Sequence, residues 1–290
     1  MIKMKFSNSC DGCYSNSLDV RFTKACDNAC AFCIERCGIS GKSTNVDKLI
    51  SSTLESGKKD ILILGGEPLL KIEQVLEYVK GIRSSVEHIY ITTSLPSTIL
   101  AHWNTFCEIM EHIDGLNVSL QHYIPEINNQ VLNASSKHNR LELLGKICNE
   151  ETFANKVRVS INLVKGYIDT KTRLDTFLCV MKCLKVKHVK VNELQHEPEL
   201  YVSFEEIYGK KFASPYAHGC QHDIVLKGHE DIRITLKRAC FCVNENLDAT
   251  ISDCVKALLK TTILKKKNPT KSFKVLYEDG RLTQGWEQVS

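Results

Sequence analysis

The sequence offers nothing that would cross a membrane: no apolar run approaches the ~18 residues a spanning helix needs. Met1 to Cys10 also lacks an apolar stretch long enough for a secretory signal, so a cytoplasmic protein is the expectation. Strong charge of either sign is missing too. The 38 Lys and Arg against 34 Asp and Glu leave a net charge of +4, which helps attract an anionic ligand but is too small to argue for nucleic acid. No internal repeat or low-complexity tract is visible. With 43% apolar and 25% charged residues, the chain is unlike disordered, collagen-like or coiled-coil sequences. Its 290 residues suffice for one large or two ordinary domains with a real core.

Cysteine, by contrast, is abundant. A cytosolic chain has no redox reason to store 14 of them as disulfides, so they suggest metal.

Six short apolar runs recur through the first two thirds: Leu18 to Thr23, Asp60 to Leu64, His88 to Thr93, Leu116 to Gln121, Val157 to Leu163 and His188 to Glu193. Between them lie helical patterns at Val46 to Ser56, Ile72 to Gly81, Thr98 to Met110, Arg140 to Cys148 and Arg173 to Leu184. Such alternation marks strand-helix units of a parallel sheet. Several strands also alternate with period two, although an ordinary parallel sheet is apolar on both faces. The polar parity comprises Asp19, Arg21 and Thr23, then Tyr90 and Thr92, then Asn117, Ser119 and Gln121. It continues with Arg158, Ser160 and Asn162, and with His188, Lys190 and Asn192. If helices cover the apolar parity, the polar parity lines a shared interior. The inference is a curved sheet or partial barrel around a polar, ligand-sized cavity; an antiparallel sheet with one wet face is the alternative.

After about Gln195 the pattern becomes less regular, with a short helix at Phe204 to Tyr208, a strand at Ile232 to Leu236 and a helix at Thr250 to Lys260. It reads as a cap or small extension. The Lys265 to Lys267 run reads as a solvated loop.

Directly after the first strand, Cys26, Cys30 and Cys33 place three thiols on what should be a loop at the strand's carboxyl end. Thiolates so grouped can hold an iron-sulfur cluster or a zinc ion. Cys37 decides between two readings. A complete four-cysteine site implies a closed structural zinc or an electron-transfer cluster, whereas three cysteines leave one iron open to a ligand. The second strand ends in Gly65-Gly66-Glu67-Pro68. Here two glycines let backbone approach a ligand closely, the carboxylate can pair with an ammonium group, and proline fixes the turn.

The spacing Cys-x3-Cys-x2-Cys at 26, 30 and 33, followed by Gly-Gly-Glu-Pro at 65 to 68, resembles the radical S-adenosylmethionine (radical SAM) superfamily. The resemblance covers about residues 18–195. It implies an α/β fold, a partial (β/α)6 TIM-like barrel, with an N-terminal segment at 1–17 and a C-terminal α+β extension at 196–290. By resemblance, Cys26, Cys30 and Cys33 hold a 4Fe-4S cluster, S-adenosylmethionine chelates the open iron, and Gly65, Gly66 and Glu67 bind its amino group. Cys37 is then not a cluster ligand. The implied reaction begins when a reducing partner such as flavodoxin or ferredoxin supplies an electron. Cleavage of S-adenosylmethionine then gives a 5'-deoxyadenosyl radical, which abstracts hydrogen from a small-molecule, nucleotide or peptide substrate. Oxygen sensitivity follows. Thr92, Ser119, Ser160 and Asn162 are candidates for binding the ribose and carboxylate of the cofactor. Arg158 or Lys190 would anchor the carboxylate or an anionic substrate, unless each is spent in an internal ion pair with Asp19 or Glu193. The competing class is a non-catalytic iron-sulfur electron carrier or zinc-stabilised binding module.

The late strands are similar to those of the molybdenum-cofactor GTP cyclase group and the peptide-modifying maturases. The cyclase's Gly-Gly tail is absent from the final residues, Gly285 to Ser290, which argues against GTP cyclisation. Cys10 and Cys13, with Cys220, Cys240, Cys242 and Cys254, are candidates for an auxiliary iron-sulfur cluster or zinc, Cys10 and Cys13 joining Cys240 and Cys242; the alternative is buried or loop cysteines. Cys107, Cys148, Cys179 and Cys183 sit in helical patterns and read as core residues. His218, His222 and His229 read as polar loop histidines rather than metal ligands. Lys137 to Arg140 reads as a helix-capping loop, or else faces an anionic substrate. No catalytic residue or hydrogen donor stands out.

Overall fold

The computed structural model describes residues 17–33, 43–194, 197–209, 221–238 and 274–284. Ten strands form one sheet: β1 Ser17–Arg21, β2 Asp60–Leu64, β3 His88–Thr93, β4 Gly115–Ser119, β5 Val157–Leu163, β6 His188–Glu193, β7 Gln221–Ile224, β8 Arg233–Lys237, β9 Lys274–Tyr277 and β10 Leu282–Gln284. Their order is β10-β9-β1-β2-β3-β4-β5-β6-β8-β7. All neighbouring pairs are parallel except β10 with β9 and β7 with β8 at the two edges.

The helices are α1 Val46–Ser56, α2 Ile72–Arg83, α3 Thr98–Ala101, α4 Trp103–His112, α5 Pro125–Leu132, α6 Arg140–Asn149, α7 Glu151–Ala154, α8 Lys171–Cys183 and α9 Phe204–Tyr208. Polar caps start several of them: the side chains of Asn45, Asn139, Thr170 and Ser203 accept from backbone N–H groups of the first turns of α1, α6, α8 and α9. The sequence pattern runs α3 and α4 together, but the chain breaks at His102 (φ −122°, ψ 43°). It also omits α5, whose signals are Pro125 in the first turn and Ile127, Val131 and Leu132 on one side.

The apolar strand parity joins the buried core with the helices: Ile61 and Ile63, Ile89 and Ile91, Leu116 and Val118, Val159 and Ile161, Val189 and Val191, Ile234 and Leu236. Each such side chain contributes ~1.5–3 kcal/mol on burial. The opposite parity carries Leu62 and Leu64 on β2 but is polar over β5 and β6, where it is half-buried throughout. Parallel strands all carry their carboxyl ends on one side, which brings the loops after β1 and β2 together.

Among the described residues, no helix is long and apolar enough to cross a membrane. Cys37, the six cysteines considered for a second metal, His218, the side chain of His222, the helix expected at 250–260 and the 265–267 run lie outside the described residues. Of the four helical cysteines, Cys148 is buried and Cys107 half-buried, but Cys179 and Cys183 are exposed. They sit four residues apart on α8, on the side turned from the sheet, so the core reading is corrected for these two. His229 is buried against α8, its Nε2 3.5 Å from Asp175 Oδ1.

Candidate cluster and cofactor site

The pairing of β1 with β2 continues beyond both strands. Phe22 N donates to Leu64 O at 2.8 Å, Gly66 N to Thr23 O at 2.7 Å and Glu67 N to Ala25 O at 2.7 Å. The cysteine loop and the Gly-Gly-Glu segment are thereby joined along their backbones. Both glycines serve this approach. A Cβ at Gly65 (φ +140°) would lie 2.5 Å from Thr23 O, and one at Gly66 would lie 2.1 Å from Ala25 O. The first steric demand on them is thus the neighbouring loop rather than a ligand.

Glu67 departs further from expectation. Its carboxylate is buried and turned into the protein. Oε1 accepts from Leu69 N at 3.1 Å and Thr93 Oγ1 at 2.7 Å, while Oε2 accepts from Ser94 N at 2.6 Å and Ser94 Oγ at 2.7 Å. It thereby caps the one-turn 3-10 helix Pro68–Lys71 and ties it to the end of β3. An ammonium partner for this side chain is replaced by four protein donors. Burial pushes the carboxyl up to about 7, against the pull of the bonds from Ser94 and Thr93.

The three thiols are partly exposed. Cys30 Sγ lies 3.4 Å from Leu132 O. Burial pushes Cys26 up to about 11 and Cys30 up to about 12, and each is raised further by the nearby Cys33. Left to themselves Cys26 and Cys30 stay protonated; a metal that binds thiolates is what would ionise them. Their sulfurs do not all lie within 4.8 Å of one another, the spacing at which ligands share a single ion. A donor set of three thiols on one loop, set wider than a one-ion site, fits an iron-sulfur cluster.

A buried network holds this loop from behind. Asn28 Nδ2 donates to Ser94 Oγ at 2.7 Å. Arg140, fully buried at the start of α6, donates through Nε to Ser94 O at 2.9 Å. Its Nη1 reaches Asn129 Oδ1, and Ser136 O at 3.2 Å; Nη2 reaches Asp27 Oδ2 at 3.3 Å and Asn28 Oδ1 at 3.2 Å. All five guanidinium N–H groups are thereby used. The preceding residues agree, for Asn139 caps α6 and His138 Nε2 lies 2.6 Å from Leu95 O. The 138–140 segment is therefore a capping loop with a structural arginine. The sequence does not announce the roles of Asn28, Thr93, Ser94 and Arg140, whose partners across this network lie 26 to 113 residues away. The one local signal was Asn28 lying between two cysteines.

Thr92, Ser119, Ser160 and Asn162 share the polar face. Ser119 is opposite Ser160 and Asn162 is opposite Asn192, while Thr92 lies opposite Asn117. Asn192 Nδ2 donates to Ser160 Oγ at 2.8 Å. Gln121 belongs with them, its Oε1 accepting from Asn162 N at 3.1 Å. Glu193 lies on the buried parity, opposite to that of Arg158 and Lys190, and accepts from Phe204 N at 2.8 Å. Beyond the ends of β4 and β5 a cavity of about 320 Å³ opens, with His122, Tyr123, Tyr167 and Arg173 in its wall.

No family model and no curated protein matches the chain. Solved structures do. SuiB of Streptococcus suis bound to S-adenosylmethionine aligns with a TM-score of 0.60 at 11% identity, over 94% of this chain and 60% of that one. SuiB bound to precursor peptide SuiA aligns at 0.57 with 12% identity and the same coverage. A radical SAM methyltransferase from Sphaerobacter thermophilus aligns at 0.56 with 15% identity, over 82% of this chain and 69% of that one. The chain has the fold of the radical SAM superfamily, the same family its cysteine and Gly-Gly-Glu-Pro motifs resemble. It spans 60% of the length of SuiB.

Proposed function

We propose that this chain is a radical SAM enzyme, with Cys26, Cys30 and Cys33 holding a 4Fe-4S cluster and the open iron taking S-adenosylmethionine. The observation that carries the reading is the backbone joining of the cysteine loop to the Gly-Gly-Glu segment at the carboxyl ends of β1 and β2. Cluster and cofactor would supply reductive generation of a hydrogen-abstracting radical.

The protein's own part is positional. With its carboxylate spent on β3, Glu67 would act through shape, leaving the carbonyls of Gly65 and Gly66 to receive the cofactor's ammonium. Thr92, Ser119, Ser160 and Asn162 would bond the ribose and carboxylate from the polar face. For that face to enclose a ligand, the sheet would curl into a partial barrel closed in part by the extension. Exclusion of water falls to the buried network behind the loop and to the residues above the sheet. Asn28 and Arg140 hold the cysteine loop in place rather than touching cofactor.

Among a small metabolite, a nucleotide and a peptide, the SuiB complex with SuiA favours a peptide substrate. A flavodoxin- or ferredoxin-like protein would deliver the electron.

The reading is tested by anaerobic reconstitution with iron and sulfide, followed by equilibrium dialysis against S-adenosylmethionine. The native chain and Cys37→Ala should bind the cofactor; Cys26→Ala, Cys30→Ala and Cys33→Ala should not. Loss of the metal in Cys37→Ala would instead favour an electron carrier or zinc module.

A further inference from the structure

The polar face has a cationic corner that the cofactor reading leaves unused. Arg158 lies opposite Asn117 of β4. On its other side, the pairs Val159–Val189 and Ser160–Lys190 bring His188 and Lys190 alongside, and His188 faces Arg233 of β8. Asp223 of β7 is already held by Arg233 Nε at 3.0 Å and Thr235 Oγ1 at 2.6 Å. Thr235 Oγ1 in turn lies 2.8 Å from His188 Nε2.

Arg158 is different. Among the described residues, its Nε is sealed from solvent without a hydrogen-bond partner, and no ion pair joins its guanidinium to a carboxylate. Arg158 is half-buried and a guanidinium keeps its charge at any ordinary pH, so an anion reaching its outer nitrogens would complete it. The corner's potential shows in its imidazole. Burial first, then Arg233, Arg158 and Lys190, against the opposite pull of Asp223, push His188 down to about 4. At neutral pH that imidazole adds no charge, and Arg233 is already held by Asp223, which leaves Arg158 to act.

We propose that Arg158 is the centre of an anion subsite, flanked by Lys190, that takes a carboxylate or phosphate group of the substrate. Position separates it from the cofactor's donors: two residues before Ser160, Arg158 sits about 7 Å nearer the amino end of the sheet. Assigning the anion to the substrate rests on the radical SAM reading; the existence of the subsite does not.

The test titrates the full chain, under anaerobic conditions and at constant ionic strength, with inorganic phosphate and with acetate, chloride serving as the control. Melting temperature and the His188 imidazole resonance are followed. At least one probe should bind saturably and raise the pH at which His188 titrates, with or without S-adenosylmethionine. Affinity should fall about tenfold or more in Arg158→Gln and partly recover in Arg158→Lys. The His188 readout needs only the native chain, so a poorly folding variant does not leave the question open. Absence of a saturable response to both probes overturns the proposal, as does equal affinity in Arg158→Gln. Displacement of the probe by S-adenosylmethionine, with weaker cofactor binding in Arg158→Gln, assigns the anion to the cofactor and overturns the substrate assignment. Probe binding in a chain that never binds S-adenosylmethionine sinks the radical SAM reading and leaves the subsite standing.

Discussion

Asn28 donates to Ser94 at 2.7 Å, and Ser94 donates in turn to Glu67 at 2.7 Å. One asparagine between two cysteines is therefore wired to the carboxylate of the second motif. Asn28→Ala would leave Ser94 and one N–H of Arg140 without their partner inside the protein. The expected loss is ~1–3 kcal/mol, read from anaerobic urea unfolding, with less iron retained after reconstitution. An unchanged urea midpoint would mean the link is not structural.

Arg140 should be the more sensitive position. Arg140→Met strands Asp27, Asn28 and two carbonyls in a buried setting, with an expected cost of ~3–5 kcal/mol. Adding Asp27→Asn to Arg140→Met should recover part of that loss, because the second change removes the stranded charge. Strict additivity in the double-mutant cycle would show that the two residues do not interact.

The glycines provide a graded comparison. Gly66→Ala would place a methyl group 2.1 Å from Ala25 O, and neither backbone can yield without opening the loop. A loss of ~3 kcal/mol or more is expected, with cluster incorporation failing alongside. At Gly166 (φ +87°) an added Cβ meets nothing within 4 Å, so only backbone strain of ~1–2 kcal/mol applies. Circular dichroism melts of both variants decide the order.

Glu67 predicts a pH dependence. Its carboxyl is held up at about 7 by burial, above the ordinary 4.5, so the folded chain keeps a proton that the unfolded chain has released. The stabilising contribution is complete below the unfolded pKa and is lost as pH rises through the folded one. Urea midpoints should therefore carry a declining component between about pH 4.5 and 7 that is missing in Glu67→Gln. A component of the same slope in the variant would assign the proton elsewhere.

The strands were legible because their signals are local. Alternation in Val157–Leu163 and His188–Glu193 fixed both their extent and their polar face. Cys26, Cys30 and Cys33 were equally plain, since three thiols within eight residues have little other use. What could not be read is everything that depends on distant partners. β9 and β10 are short and join the sheet beside β1, some 250 residues earlier in the chain, so no nearby pattern announces them. The Glu67 carboxylate looks free in sequence and is consumed by donors from Leu69 and from Thr93 and Ser94 at the end of β3. Arg140 looks like a surface cation at a helix start, yet its partners Asp27 and Asn28 lie 113 and 112 residues away.

The central claim is that the cysteine loop and the Gly-Gly-Glu segment together bind a cluster and S-adenosylmethionine for reductive cleavage. Its most direct measurement is anaerobic quantification of 5'-deoxyadenosine after adding dithionite and S-adenosylmethionine to the reconstituted chain, beside a Cys30→Ala control. The native chain should give product and the variant none. Neither binding nor cleavage of S-adenosylmethionine by a native chain holding a fully reduced cluster would contradict it.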